Sequence, residues 1–176
     1  MRDFLQRIVR TVLARRAEHQ QIAVRGEYFI TIRDGQSARI KRRTHYTNVT
    51  CLNGKVWIAQ WLNGEIGSAQ PTVYAAVGTS GTTPTATDTQ LGAEVSSALV
   101  GRVAKASGYR SVNTLTWDFF WTTSQGNASG TLREAGVFLN GTLATNSGNL
   151  LSHVSITETK NATETMTVEF VITVGP

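Results

Sequence analysis

The chain has 176 residues, of which 40% are apolar and 16% charged, and a formal net charge of +5. That length supports one domain of ordinary size with room for an appendage. No run of 18 apolar residues is present to span a membrane as a helix, and the single cysteine, Cys51, excludes an internal disulfide framework.

The charge is uneven. Residues 1–43 hold eleven Lys/Arg against four acids, a local +7, whereas residues 44–176 hold six against eight, a local −2. A basic arm on a near-neutral body points to attachment through the arm to an acidic surface. Arg7 and Arg10 interrupt the N-terminal apolar stretch and no small-residue cleavage site follows it, so a secretory leader is not expected.

Phe4, Leu5, Ile8, Val9, Val12 and Leu13 recur at the spacing of one helical face, with Arg7, Arg10, Arg15 and Arg16 around it. The pattern predicts an amphipathic helix from about Asp3 to Ala17, too short to be stable alone in water. Its apolar face therefore needs a docking surface, on its own domain or on a sister subunit. Without lysine or a tryptophan anchor a membrane surface is not expected.

Residues Glu27–Arg33 alternate as a strand, Asp34-Gly35 signals a turn, and Ala38–Val49 returns as a second strand carrying Lys41, Arg42 and Arg43 in a row. Three successive bases point to both faces of a strand, so at least one side is solvated or matched by acids. Nucleic acid is not the expected partner, because the interleaved aromatic platform of single-strand binders is missing. Leu52–Leu62 changes to helical period and stops at Asn63-Gly64. Its Trp57 and Trp61 are expected to be core or interface anchors. Cys51, between Val49 and Leu52, is expected to be a small buried hydrophobe.

The chain is organised around Thr72–Gly92. Val73–Val77 is a short apolar strand of buried type that stops at Gly78, followed by a polar loop with Gly81 and Pro84. Asp88 or Thr89 is expected to cap one helical turn ending at Gly92. Strands are then expected at Val95–Ala106, punctuated by Gly108, and at Val112–Trp121, where the alternation slips at Phe119-Phe120 as if for a bulge or burial on both faces. Three more follow at Thr131–Leu139, Leu150–Thr157 and Thr163–Val174. In the last, Met166, Val168, Phe170, Ile172 and Val174 are expected inward.

No catalytic, cofactor or metal motif emerges. The three histidines are far apart in sequence, and no Walker loop, nucleophile elbow or dinucleotide fingerprint occurs. Asp118 and Glu134 are the one pair of carboxylates to weigh for glycoside hydrolysis. The expectation is structural: Asp118 lies between Trp117 and Phe119, while Glu134, beside Arg133, would be a solvated or paired charge or a tie between the sheet and the central loop.

Val77-Gly-Thr-Ser-Gly-Thr-Thr-Pro followed by Asp88-Thr-Gln-Leu-Gly-Ala-Glu94 resembles a segment of small structural proteins of tailed bacteriophages. So do Gly130-Thr-Leu-Arg-Glu-Ala-Gly-Val-Phe-Leu139, Leu150-Leu-Ser-His-Val154 and the closing alternating strand. The resemblance covers roughly residues 25–176 and leaves out the N-terminal helix. It implies a tail-fibre, baseplate or other virion component, assembled with other virion proteins.

The combined expectation is a mainly β protein, an antiparallel β-sandwich with an N-terminal amphipathic helix and one or two short helices. Its parts are a basic helical arm at 1–20, a hairpin plus short helix at 21–71, and a β-body at 72–176, with 21–176 as one domain. The expected function is a non-enzymatic, self-associating virion component of the tail. It would be anchored through Phe4, Leu5, Ile8, Val9, Val12, Leu13, Arg7, Arg10, Arg15, Arg16, Lys41, Arg42 and Arg43. Capsid decoration is the alternative, and a carbohydrate-binding module contacting a host-surface glycan is a further one.

Overall fold

A computed structural model describes residues 23–66, 70–127 and 130–175. The expected N-terminal helix, with its anchoring residues from Phe4 to Arg16, lies outside the described residues. The elements are β1 (Ala23–Asp34), β2 (Ile40–Thr47), β3 (Val49–Thr50), α1 (Leu52–Leu62), β4 (Val73–Gly78), β5 (Arg102–Ser111), β6 (Thr114–Trp121), β7 (Leu132–Leu139), β8 (Asn149–Glu158) and β9 (Glu164–Gly175). One short 3-10 turn, Ser97–Leu99, precedes β5.

The protein is mainly β. Nine antiparallel strands form one sheet in the order β2-β1-β9-β6-β5-β4-β7-β8-β3. The two ends of that order, β2 and β3, are separated in the chain only by Asn48. The sheet therefore curls until its ends nearly meet, and it is barrel-like where a sandwich of two sheets was expected. Side chains close the seam. Tyr28 on β1 donates to Ser152 Oγ on β8 at 2.9 Å, Asn48 also bonds Ser152, and Tyr46 donates to Glu158 at 2.9 Å.

The core fills the interior. Ile30 and Ile32 from β1, Phe119 and Trp121 from β6, and Val168 and Phe170 from β9 are all essentially inaccessible. Period-2 alternation accounts for this wherever the outer face is wet. On β9 it holds from Met166 to Ile172, but Val174, expected inward, is exposed because the strand has run past the end of the core. On β6 the apparent slip is no slip. Phe119 points inward and Phe120 outward, in unbroken register with β9 from Thr114–Thr173 to Trp121–Met166. The irregularity lies opposite, in β5 between Lys105 and Ser107. Gly108, expected to end a strand, sits inside β5, where any Cβ would press on the Trp117 ring.

Strands β4, β7 and β8 are buried on both faces, which is why they read as continuous apolar runs. Their inner face joins the main core. Their outer face carries Ala76, Phe138 and Leu150, which form a second small cluster with Cys51 and Leu91. The covering layer is the segment 79–94 together with the start of α1. Helix α1 stops at Asn63-Gly64 as expected, with Gly64 in the left-handed region at φ +75°. Gly54 lets the helix approach β8: a Cβ there would lie 2.6 Å from Leu151 Cα.

Candidate functional site: a stapled strap and an apolar groove

The segment 79–94 forms a strap across the outer face of β4, β7 and β8. Its polar, glycine-bearing sequence leaves backbone N–H groups that no strand satisfies, and a buried N–H needs an acceptor. Glu134 supplies it. Its Oε1 accepts from Ala93 N at 2.7 Å and Ser80 N at 3.3 Å, and its Oε2 from Gly92 N at 2.9 Å. Glycine at 78 leaves the room, since a Cβ there would collide with the Glu134 carboxylate. No helical turn forms between Asp88 and Gly92. Asp88 caps a tight turn instead, its Oδ2 accepting from Thr85 N at 2.8 Å and its Oδ1 from Thr85 Oγ1 at 2.6 Å.

His153 on β8 joins the two carboxylates. Its Nδ1 lies 2.7 Å from Asp88 Oδ2 and its Nε2 3.0 Å from Glu134 Oε2. With a carboxylate at each nitrogen, both nitrogens act as donors and the ring is held as imidazolium. Burial alone would lower the histidine pKa, but the bonds to Glu134 and Asp88 outweigh it and raise it. Burial likewise opposes ionisation of Glu134, but His153 and the strap N–H groups hold its carboxyl below the usual range. Asp88 is lowered too: the Thr85 and His153 bonds outweigh the effect of burial. The arrangement is an electrostatic staple.

A second buried pair secures the end of the strap. Arg102 meets Glu94 with two parallel bonds of 2.8 Å, both side chains being almost fully buried. Arg102 also donates to Ser147 O at 2.6 Å and lies 4.0 Å over the Phe138 ring, while Glu94 accepts from Asn146 N at 3.0 Å. The strap is thus tied to the 141–148 loop as well as to the sheet.

A paired charge and a tie between Glu134 and the central loop both match expectation, the charged partner being His153, but a solvated carboxylate does not, because Glu134 is wholly buried. Asp118 has a different partner, Ser107 on β5, so the two carboxylates are not joined in one hydrogen-bonded cluster. Cys51 is fully buried, as expected, and burial, reinforced by the charge of Asp88, pushes its thiol up to about 11. Sequence reasoning missed His153 and the Glu94–Arg102 pair. The available signal was a histidine inside the apolar run Leu150–Val154, since a buried imidazole requires polar partners.

The basic triplet on β2 is matched by acids from neighbouring strands and turns. Lys41 Nζ lies 3.0 Å from Glu164 and 3.6 Å from Asp34, Arg42 2.6 Å from Glu158, and Arg43 3.2 Å from Glu169. Among the described residues no group of three or more His, Cys, Asp or Glu side chains is arranged to hold a metal ion, and no helix is long and apolar enough to cross a membrane.

The other candidate feature is a groove of about 600 Å³. One wall is α1, with Trp57, Ile58, Trp61 and Leu62. The other is the β5–β6 turn with Val112 and Leu115, and Val24 and Val174 stand at the rim. Trp117 lines the floor and is buried, as is Trp121 elsewhere in the core, but Trp61 is 46% exposed. Trp57 and Trp61 were expected to be core or interface anchors, and Trp61 is not in the core because nothing described covers the outer half of α1. The Trp57 Nε1–H is buried without an acceptor among the described residues. Comparison with family models, curated proteins and solved structures finds no match for this chain.

Proposed function

We propose that the chain is a non-enzymatic structural component of a tailed-bacteriophage virion, placed in the tail as a baseplate or fibre-attachment subunit. The observation that supports this reading is where the phage-like motifs meet. Asp88, Glu134 and His153 come from three separate stretches of the resemblance and converge on the staple, and Leu91 and Glu94 of the first stretch go to the outer cluster and the Arg102 pair. The resembling positions therefore serve one architectural device, a strap locked on a barrel, as suits a protein whose task is to hold a shape. Attachment runs through the basic N-terminal arm, whose charge suits an acidic surface on a neighbouring virion protein.

Immunogold labelling of purified particles with an antibody against the β-body tests the placement. Gold at the tail supports the reading. Gold over the head replaces it with capsid decoration, and an unlabelled particle, with an antibody that binds the free protein, removes any exposed virion role. Deleting residues 1–20 is expected to abolish incorporation while the barrel still folds, and a truncated chain that still assembles would refute attachment through the arm. A glycan-binding role finds less support, since Trp117 and Trp121 are buried in the core and the groove that Trp57 and Trp61 face is lined mainly by apolar side chains.

A further inference from the structure

We propose that the groove between α1 and the β5–β6 turn is the seat of the chain's own N-terminal segment, Phe4–Leu13. The inference does not depend on the virion reading. Four of the large apolar side chains left most open by the barrel sit together in this groove: Trp61 at 46%, Leu62 at 73%, Val112 at 86% and Val174 at 44% exposure. Clustered exposure of that kind marks a docking surface, whereas isolated exposed residues do not. The buried Trp57 N–H, which has no acceptor among the described residues, lies on the same wall.

The occupant follows from where the chain enters. Ala23 begins β1 opposite Gly175, and the next residue, Val24, already lines the groove. The 22 residues before Ala23 thus start at its rim. Within them the only sustained apolar pattern is Phe4, Leu5, Ile8, Val9, Val12 and Leu13, a helical face that is marginal until it is buried. The nine residues from Ala14 to Ile22 span up to about 30 Å when extended, enough to turn back onto the groove. A tethered segment acts at roughly millimolar effective concentration, which favours the same chain over a second copy in dilute solution. With that face seated, helical periodicity places Arg7 and Arg10 on the opposite, outward side. The arm then offers a partner its charge and keeps its apolar face covered.

The test uses the full-length protein carrying the photoreactive residue p-benzoylphenylalanine at position 9 (replacing Val9), irradiated as an equal mixture of ¹⁴N- and ¹⁵N-labelled chains. Cross-links to peptides containing Trp57–Leu62 or Val112–Leu115, within chains of one isotope, are expected. Introducing Ile8→Asp and Val12→Asp should cut their yield about tenfold or more, because two apolar anchors are lost, while near-UV circular dichroism of the barrel stays unchanged. Mixed-isotope cross-links to the groove would overturn the same-chain seat in favour of exchange between copies. Cross-links elsewhere, or none, would overturn the docking itself.

Discussion

His153 Nε2 lies 3.0 Å from Glu134 Oε2, and neither side chain has appreciable contact with water. Three backbone N–H groups of the strap share the same carboxylate. Replacing Glu134 by alanine leaves an imidazolium with one partner and orphans those donors. Breaking a buried pair from one side costs about 3–5 kcal/mol, and each orphaned donor adds to the loss. Glu134→Ala is therefore expected to lower the unfolding free energy by at least about 3 kcal/mol in guanidinium titrations. Glu134→Gln, which keeps an acceptor but offers an N–H₂ towards the donors, is expected to fall between. An alanine variant within about 1 kcal/mol of the parent would refute the staple.

The same cluster sets a pH window. Its raised folded pKa makes the His153 contribution complete below 6.5, its ordinary value, and lost as pH rises through the folded value. Glu134 and Asp88 are lowered, so their contributions are present above 4.5 and 3.8 and lost as pH falls through their folded values. The staple is strongest between those limits. Lys160 acts oppositely on the alkaline side: burial holds its amine down to about 8, so its part of the stability rises as pH climbs from there towards 10.5. The decisive measurement is the difference between parent and His153→Asn across pH 4–9. That difference should shrink above the folded histidine value, and one independent of pH would count against a charged imidazole.

Gly54 offers a test in which two effects have opposite signs. In a free helix Gly→Ala gains about 1 kcal/mol. Here the new methyl would sit 2.6 Å from Leu151 Cα, a backbone atom that cannot swing away, and overpacking costs about 1–3 kcal/mol. The expected outcome for Gly54→Ala is a lower melting temperature. A rise would mean that α1 does not rest on β8 as closely as described.

Much of the strand layout was legible because alternation and turn residues are local signals. The β1–β2 turn at Asp34-Gly35, the stop of α1 at Asn63-Gly64 and the alternation of β9 up to Ile172 all followed from residues close in sequence. Closure was not legible. The bonds that join Tyr28 to Ser152 and Tyr46 to Glu158 span more than a hundred residues and leave no periodicity. The strap misled for a related reason. Asp88 looked like a helix cap because the same side chain that caps a helix also caps a tight turn, and only Glu134 and His153, contributed by two later strands, decide between them. Matching of Lys41, Arg42 and Arg43 by acids was one of the outcomes their spacing allowed, but those acids come mostly from β8 and β9, too far along the chain for the sequence to name them.

The Glu94–Arg102 pair separates what a buried charge contributes from what its absence costs. Glu94→Leu leaves the Arg102 guanidinium without its counter-charge in a site with no appreciable water contact, and is expected to cost about 3–5 kcal/mol. Adding Arg102→Met removes that stranded charge and keeps an unbranched side chain over Phe138. Asn146 N and Ser147 O still lose their partners, so the double variant does not return fully to the parent. It is nevertheless expected to regain at least about half of the single variant's loss, a favourable coupling in a double-mutant cycle. Equilibrium unfolding of the parent, both single variants and the double variant supplies the cycle. Additive losses would mean that Arg102 is held mainly by Ser147 and Phe138, and that Glu94 does not secure the strap through it.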